Sequence, residues 1–168
     1  MHFSSALPVI VYTRPAGQPG WDWQEVDRGP GYFDVPDDQE IGVRLKGIDD
    51  GVLAVLVEEL RAVETLVYLD LSENRNVTNE GMVRLRGLPQ LRGLNLSSCT
   101  ITSSGLTPLK ALLHLKWLIL TYCNRLNDSA LKTLESMSAL EYVDLQGCYG
   151  FTQGGFSRVR RRSLKIHR

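Results

Sequence analysis

LVYLDLSEN (Leu66–Asn74) is followed by LRGLNLSSC (Leu91–Cys99), LKWLILTYC (Leu115–Cys123) and LEYVDLQGC (Leu140–Cys148). The four segments start 25, 24 and 25 residues apart. Each has apolar residues at its first, fourth and sixth positions and Asn or Cys at its ninth: Asn74, Cys99, Cys123 and Cys148. The matches continue downstream. Val77, Ile101, Leu126 and Phe151 are apolar, and each is followed by a residue of helix N-cap type, Thr78, Thr102, Asn127 or Thr152. Met82, Leu106, Leu131 and Phe156 come next, then Leu85, Leu109, Leu134 and Val159. Leu88, Leu112 and Met137 close the cycle.

The unit has a physical reading. Alternation at positions four and six predicts a short strand with one buried side. The apolar spacing behind the Thr or Asn predicts a short capped helix. Neither element can bury its apolar side alone, and stacked units bury all of them in one continuous core.

The pattern resembles the leucine-rich repeat family. The Cys at position nine, the repeat length and the helix starts Gly81-Met82, Gly105-Leu106 and Ala130-Leu131 resemble the cysteine-containing subclass known from the substrate-binding arms of F-box proteins. The resemblance covers residues 41–168. It implies an α/β, right-handed solenoid, with a parallel sheet of about six strands on the concave face and short helices on the convex face. Repeats are expected near 41–65, 66–90, 91–114, 115–139 and 140–163, with a final strand at 164–168. Val43 and Leu45 match positions four and six of a degenerate first repeat, with Ile48 at nine. Asp49-Asp50 caps a helix through about Leu60, and Val57, Leu60 and Val63 face inward. Leu164 and Ile166 are expected at positions four and six of the last strand. The family's ubiquitin-ligase role is not carried over, since residues 1–40 show no F-box-like segment.

Residues 1–40 show no repeat and are read as an N-terminal cap. One arrangement is a hairpin whose Trp21, Trp23, Tyr32 and Phe33 shield the open end of the core; the alternative is a flexible start at residues 1–20.

Composition limits the function classes. Hydrophobic residues are 43% and charged residues 23% of 168, the proportions of a soluble globular domain rather than a disordered chain. The longest apolar run, Ala6–Tyr12, is too short for a membrane span and lacks the cationic lead-in of a secretory signal. Net charge is zero, which excludes a uniformly basic binder. The charge is nevertheless polarised. Residues 1–40 hold two Arg and seven acidic residues, residues 41–157 hold 11 basic and 12 acidic, and residues 158–168 hold six basic and none acidic.

All three Cys occupy one repeat position, which predicts inward thiols satisfying backbone groups, in a reducing, cytoplasmic setting. No disulfide framework and no zinc site is expected, because no Cys-x-x-Cys is present. His2, His114 and His167 are scattered surface residues. No nucleophile-elbow, HExxH or phosphate-loop motif occurs. Asp70 and Asp144 share a column three strands apart, roughly 14 Å, too wide for a cooperating carboxylate pair. The chain is read as non-enzymatic, with no cofactor and no metal.

Packing does not dictate the outward columns of the sheet, so their composition is informative. Position three reads Gly42, Tyr68, Gly93, Trp117, Tyr142, and position five reads Arg44, Asp70, Asn95, Ile119, Asp144. Position eight reads Gly47, Glu73, Ser98, Tyr122, Gly147. Trp117, Ile119, Tyr122 and Tyr142, with Tyr68 further along, are expected to form a partner-binding hot spot. Asp70, Glu73 and Asp144, with Asn95, give it an acidic edge that selects a basic or polar protein surface. Arg158, Arg160, Arg161, Arg162, Lys165 and Arg168 form a basic patch. It reads as a solvated cap, as an anion or nucleic-acid site, or as the complement of another copy's acidic end in head-to-tail assembly. The expected function is an adaptor-like protein-binding module, with no membrane partner. The alternative is a self-assembling or anion-binding module acting through its charged ends.

Overall fold

Each repeat folds as strand, tight turn and helix, in a computed structural model that describes residues 2–18 and 22–168. The strands of the repeat body are β5 (Gln39–Arg44), β6 (Leu66–Asp70), β7 (Gly93–Asn95), β8 (Trp117–Ile119), β9 (Tyr142–Asp144) and β10 (Lys165–His167). The helices between them are α1 (Asp50–Leu60), α2 (Asn79–Arg84), α3 (Asp128–Ser136) and α4 (Gln153–Phe156), with a 3-10 helix at Ser103–Ala111. The cap residues lie where the spacing puts them. Asp49, Thr78, Asn127 and Thr152 each accept a backbone N–H from the first turn of the helix they precede. Thr102 makes no such bond, and its helix is 3-10 throughout, with Pro108 inside lacking the N–H that an α-helix would use.

Before the repeats come β1 (His2–Ser5), β2 (Ile10–Pro15), β3 (Gln24–Arg28) and β4 (Gly31–Asp34). The main sheet runs β10-β9-β8-β7-β6-β5-β2-β3. Neighbours from β5 to β10 are parallel, whereas β2 is antiparallel to both β5 and β3. The sheet is therefore mixed, where the repeat pattern led to the expectation of a parallel one. Residues 2–5 and 10–15, for which a flexible start was the alternative, form β1 and β2.

β1 and β4 form a small antiparallel sheet against α1. Phe3 and Phe33 stack there at 4.8 Å, both buried. Glu59 on α1 anchors the chain by accepting from Ser5 Oγ at 2.5 Å and the Ala6 N–H at 2.9 Å. Of the four aromatics expected to shield the core, Phe33 does so. Tyr32 is 68% exposed and stacks on His2, because alternation along β4 turns it away from Phe33. Trp23 lies on the sheet face instead, and Trp21 falls outside the described residues.

The core is continuous from Phe3 to Leu164. Position nine ties successive repeats together. Asn74 Nδ2 donates to the carbonyls of Leu45 at 2.8 Å and Leu71 at 2.9 Å, and its Oδ1 accepts from the Ile48 N–H at 3.0 Å. The thiols of Cys99, Cys123 and Cys148 donate to the carbonyls of Leu71, Leu96 and Leu120, at 3.3, 3.1 and 3.0 Å. Each bond reaches back to position six of the preceding unit. Burial pushes the Cys99 thiol up to about 11 and the Cys123 thiol to about 12. A second ladder joins the helix starts. Asp50 accepts from Thr78, Asn79 bonds Thr102, Ser103 bonds Asn127 and Asp128 accepts from Thr152.

The last strand departs from expectation by two residues. Ile166 pairs with Val143, so it occupies position four rather than six, and Lys165 and His167 extend columns three and five. A two-residue slip leaves the same side chains facing the core, so alternation alone does not detect it.

Candidate binding surface on the sheet face

Column three is in register across the sheet: Tyr12 pairs with Gly42, and Gly42, Tyr68, Gly93, Trp117, Tyr142 and Lys165 follow. The glycines explain how large rings fit at a strand spacing of about 4.8 Å. A Cβ on Gly93 would lie 2.7 Å from Tyr68 Cδ2, so the Tyr68 ring rests on that bare backbone. Gly42 plays the same part for Trp23, whose ring would meet a Cβ there at 3.3 Å. Trp23 stacks on Tyr68 with centroids 5.7 Å apart, and the Arg14 guanidinium lies 4.4 Å from the Trp23 ring. Buried Glu40 holds the assembly, bonding Arg14 and Arg92 at 2.8 Å each.

This ladder ends in a cleft of about 260 Å³ lined by Arg14, Trp23, Val67, Tyr68, Gly93 and Trp117. Three of the six are aromatic, and the lining comes from four strands, β2, β6, β7 and β8, and the segment before β3. Burial, aided by the Asp70 charge, pushes the Tyr68 hydroxyl up to about 12, so it remains a neutral donor at physiological pH. Trp117 is the half-buried wall of the cleft and Tyr142 its half-buried neighbour beyond it, with Ile119 between Asn95 and Asp144 in column five.

The expected acidic edge is engaged within the chain. Asp70 lies 3.5 Å from Arg44 Nε and accepts from the Ser72 N–H. Arg44 Nε makes no hydrogen bond, so charge alone holds that contact. Asp144 meets His167 Nδ1 at 3.2 Å and the Gln146 N–H at 2.9 Å. Glu73 pairs with Lys46 at 2.8 Å, which holds its carboxyl below the usual range. Asn95 accepts from both the N–H and the hydroxyl of Ser97. Asp70, Asn95 and Asp144 thus close the turn two residues on, a structural task repeated along the column.

Tyr122 stands apart from Trp117. It lies five residues on, up to about 16 Å along the chain, in the turn at the carboxyl end of β8. All five residues of column eight have left-handed backbone, with φ of 73° at Gly47, 66° at Glu73, 57° at Ser98, 59° at Tyr122 and 70° at Gly147. The Tyr122 ring leans onto Gly147, where a Cβ would sit 2.4 Å from it.

The basic patch divides among several environments. Arg161 is a helix latch: its guanidinium donates to the carbonyls of Glu135, Met137, Ser138 and Leu140 at the end of α3. Arg168 lies 4.7 Å from the Phe156 ring. Lys165 belongs to column three, and Arg158 lines a cleft that also contains Asp128 and Glu135. The side chains of Arg160 and Arg162 are exposed.

Trp23 was legible as an aromatic of the cap but not as part of this surface. Arg14, Glu40 and Arg92 carried no sequence signal. The clue available was Gly42, a glycine on an outward strand column with no turn to require it.

No curated protein matches the chain in sequence. Among solved structures, it is similar to a chain in the crystal structure of a TLR13-ssRNA13 complex, at 18% identity and a TM-score of 0.33. The match covers 66% of this chain and 23% of that one, so this chain spans about a quarter of its length. No helix among the described residues is long and apolar enough to cross a membrane. Residues 64–85 and 89–110, the units led by β6 and β7, match the family model described as Leucine Rich repeat.

Proposed function

We propose that the chain is a non-enzymatic protein-binding module that takes a partner segment into the cleft between Tyr68 and Trp117. The observation that carries this reading is the in-register column. Glycines at 42 and 93 seat Trp23 and Tyr68 on one side, while Trp117 and Tyr142 stand on the other. Aromatic walls around a small desolvated gap are the anatomy of an interface hot spot. The acidic residues contribute less than their sequence positions suggest, because each already has a cationic or backbone partner. Specificity then comes chiefly from the rings, since Arg14 and Arg92 are likewise paired, both with Glu40. The cysteine bonds at position nine fit the cysteine-containing subclass and a reducing compartment, and the aromatic cleft suits an adaptor role.

The test is affinity for a partner isolated from the native host. Trp117→Ala or Tyr68→Ala is expected to weaken binding roughly 30-fold or more, the scale of a hot-spot residue. Gly93→Leu, which fills the cleft, is expected to do the same, with thermal unfolding as the check that the fold persists. Unchanged affinity in all three folded variants refutes the proposal.

A second reading rests on the edges of the main sheet. All five residues of β3 are exposed and include Glu25 and Asp27, while β10 presents Lys165 and His167 at the other end. Head-to-tail pairing of these edges would join copies into longer sheets. Light scattering at low and high salt decides it: a monomer throughout removes this reading.

A further inference from the structure

We propose that the carboxyl edge of the sheet carries a second site, independent of the aromatic cleft, that binds single-stranded nucleic acid. Phosphates would sit on Arg75 and Arg125, and bases would stack on Tyr122 and Tyr149.

Tyr122 is the first observation. Left-handed backbone disfavours any residue with a Cβ, and the same position holds glycine in two other units and the smaller Glu73 and Ser98 in the remaining two. A bulky ring is therefore kept where the fold favours none. It is not kept for the core, since Tyr122 is 59% exposed and its hydroxyl has no hydrogen-bond partner among the described residues. A mostly exposed ring held in left-handed backbone, resting on Gly147, is a mark of a functional position.

The second observation is charge. Tyr122 lines a cleft of about 460 Å³ with Arg75, Ser98, Thr100, Asn124 and Arg125. Neither Arg75 nor Arg125 has an ion pair or a side-chain hydrogen bond among the described residues, and both are exposed. Of the carboxylates closest in sequence, Glu73 pairs with Lys46 while also feeling the Arg75 charge, and Asp128 accepts from Thr152. No carboxylate lines the cleft among the described residues, so its two guanidiniums set its charge. Arg75 and Arg125 belong to units two strands apart, about 10 Å, with the hydroxyl-bearing Ser98 and Thr100 of the intervening unit between them.

The third observation selects the ligand. The Tyr122 ring leans over Gly147, and the adjoining cleft contains Gly147, Cys148 and Tyr149. Tyr149 is 84% exposed. Two open tyrosine rings on successive units thus continue a surface whose other end carries Arg75 and Arg125. That is the composition that holds a flexible strand by its backbone while its bases stack. A phosphorylated peptide would use the arginines but leave the tyrosines without a task.

The experiment is fluorescence anisotropy with labelled 12-nucleotide oligo-U and oligo-dT on the full chain, between 50 and 200 mM salt. Two phosphate contacts contribute about 1.4 to the slope of log affinity against log salt. Wild type is therefore expected to lose about seven-fold more affinity across that range than Arg75→Gln/Arg125→Gln. Tyr122→Gly is expected to weaken binding roughly five-fold or more, the scale of one base stack, without lowering the thermal midpoint. Trp117→Ala is expected to bind oligonucleotide like wild type, which separates this site from the protein-binding cleft. The proposal is overturned by no binding at 50 mM salt, or by an unchanged slope in the double Arg variant. It is also overturned if Arg158→Gln/Arg160→Gln/Arg162→Gln abolishes binding that the Arg75/Arg125 variant retains, or if a phosphopeptide binds more tightly than the oligonucleotides.

Discussion

Replacing Asn74 by Ala should be among the costliest single changes outside the apolar core, and the structure says why. The side chain is 1% exposed and makes three hydrogen bonds, two as donor and one as acceptor. The losses are unequal. The Leu71 carbonyl keeps the Cys99 thiol, whereas the Ile48 N–H and the Leu45 carbonyl lose the side-chain partner that Asn74 gives them. Two buried backbone groups left unpaired cost about 1–3 kcal/mol each, so the expected destabilisation is about 4 kcal/mol. Cys123→Ala provides the comparison. It removes one weak bond to the Leu96 carbonyl, which still accepts from the Cys99 N–H, and leaves a small cavity. Its expected cost is about 1–2 kcal/mol. Asn74→Cys should fall between them, since a thiol can donate to Leu45 but cannot accept well from Ile48. Urea unfolding of the three variants at pH 7 measures the differences. Equal costs for Asn74→Ala and Cys123→Ala would refute the reasoning, since position nine would then be mere filling rather than a hydrogen-bond relay whose first member does double duty.

Alkali should unfold the protein through its thiols. Cys99 and Cys123 titrate near 11 and 12 in the fold but near 8.5 when unfolded, so the unfolded chain releases protons that the native state keeps. Stability is full below about pH 8 and falls by up to about 3 kcal/mol between pH 9 and 10, at about 1.4 kcal/mol per unit per thiol. Urea unfolding across that range checks this, and a double Ser variant should show a much flatter decline. Arg161→Gln should cost about 2 kcal/mol by releasing the carbonyls at and after the end of α3, whereas Arg162→Gln, at an exposed neighbouring side chain, should cost almost nothing; equal midpoints would contradict the latch. Gly147→Ala should destabilise by about 1–2 kcal/mol from its left-handed backbone and the Tyr122 ring, while Gly154→Ala, with nothing nearer than Thr152 Oγ at 3.8 Å, should be neutral or slightly stabilising by thermal melt.

What could be read from the sequence is what recurs. Val43 and Leu45, the Thr and Asn caps and the three cysteines were legible because the same geometric demand selects similar chemistry every 24 or 25 residues. The antiparallel addition of β2 was not, because Ile10–Pro15 meets Gln39–Arg44 once, with no second copy to reveal the pattern. Arg161 looked like one cation among six because its partners are carbonyls, which every residue has. The acidic column looked available because a sequence does not show that Arg44, Lys46 and His167 stand opposite Asp70, Glu73 and Asp144 in neighbouring strands or turns. The same logic locates function. Where a position obeys the repeat, the fold explains it. Tyr68 and Trp117 flanking Gly93 in their column, and Tyr122 in a left-handed column where glycine costs least, are departures that stacking does not require. A repeat protein discloses its scaffold through conformity and its surfaces through exception, so the residues to mutate first are the large rings set beside glycine, not the leucines that define the unit.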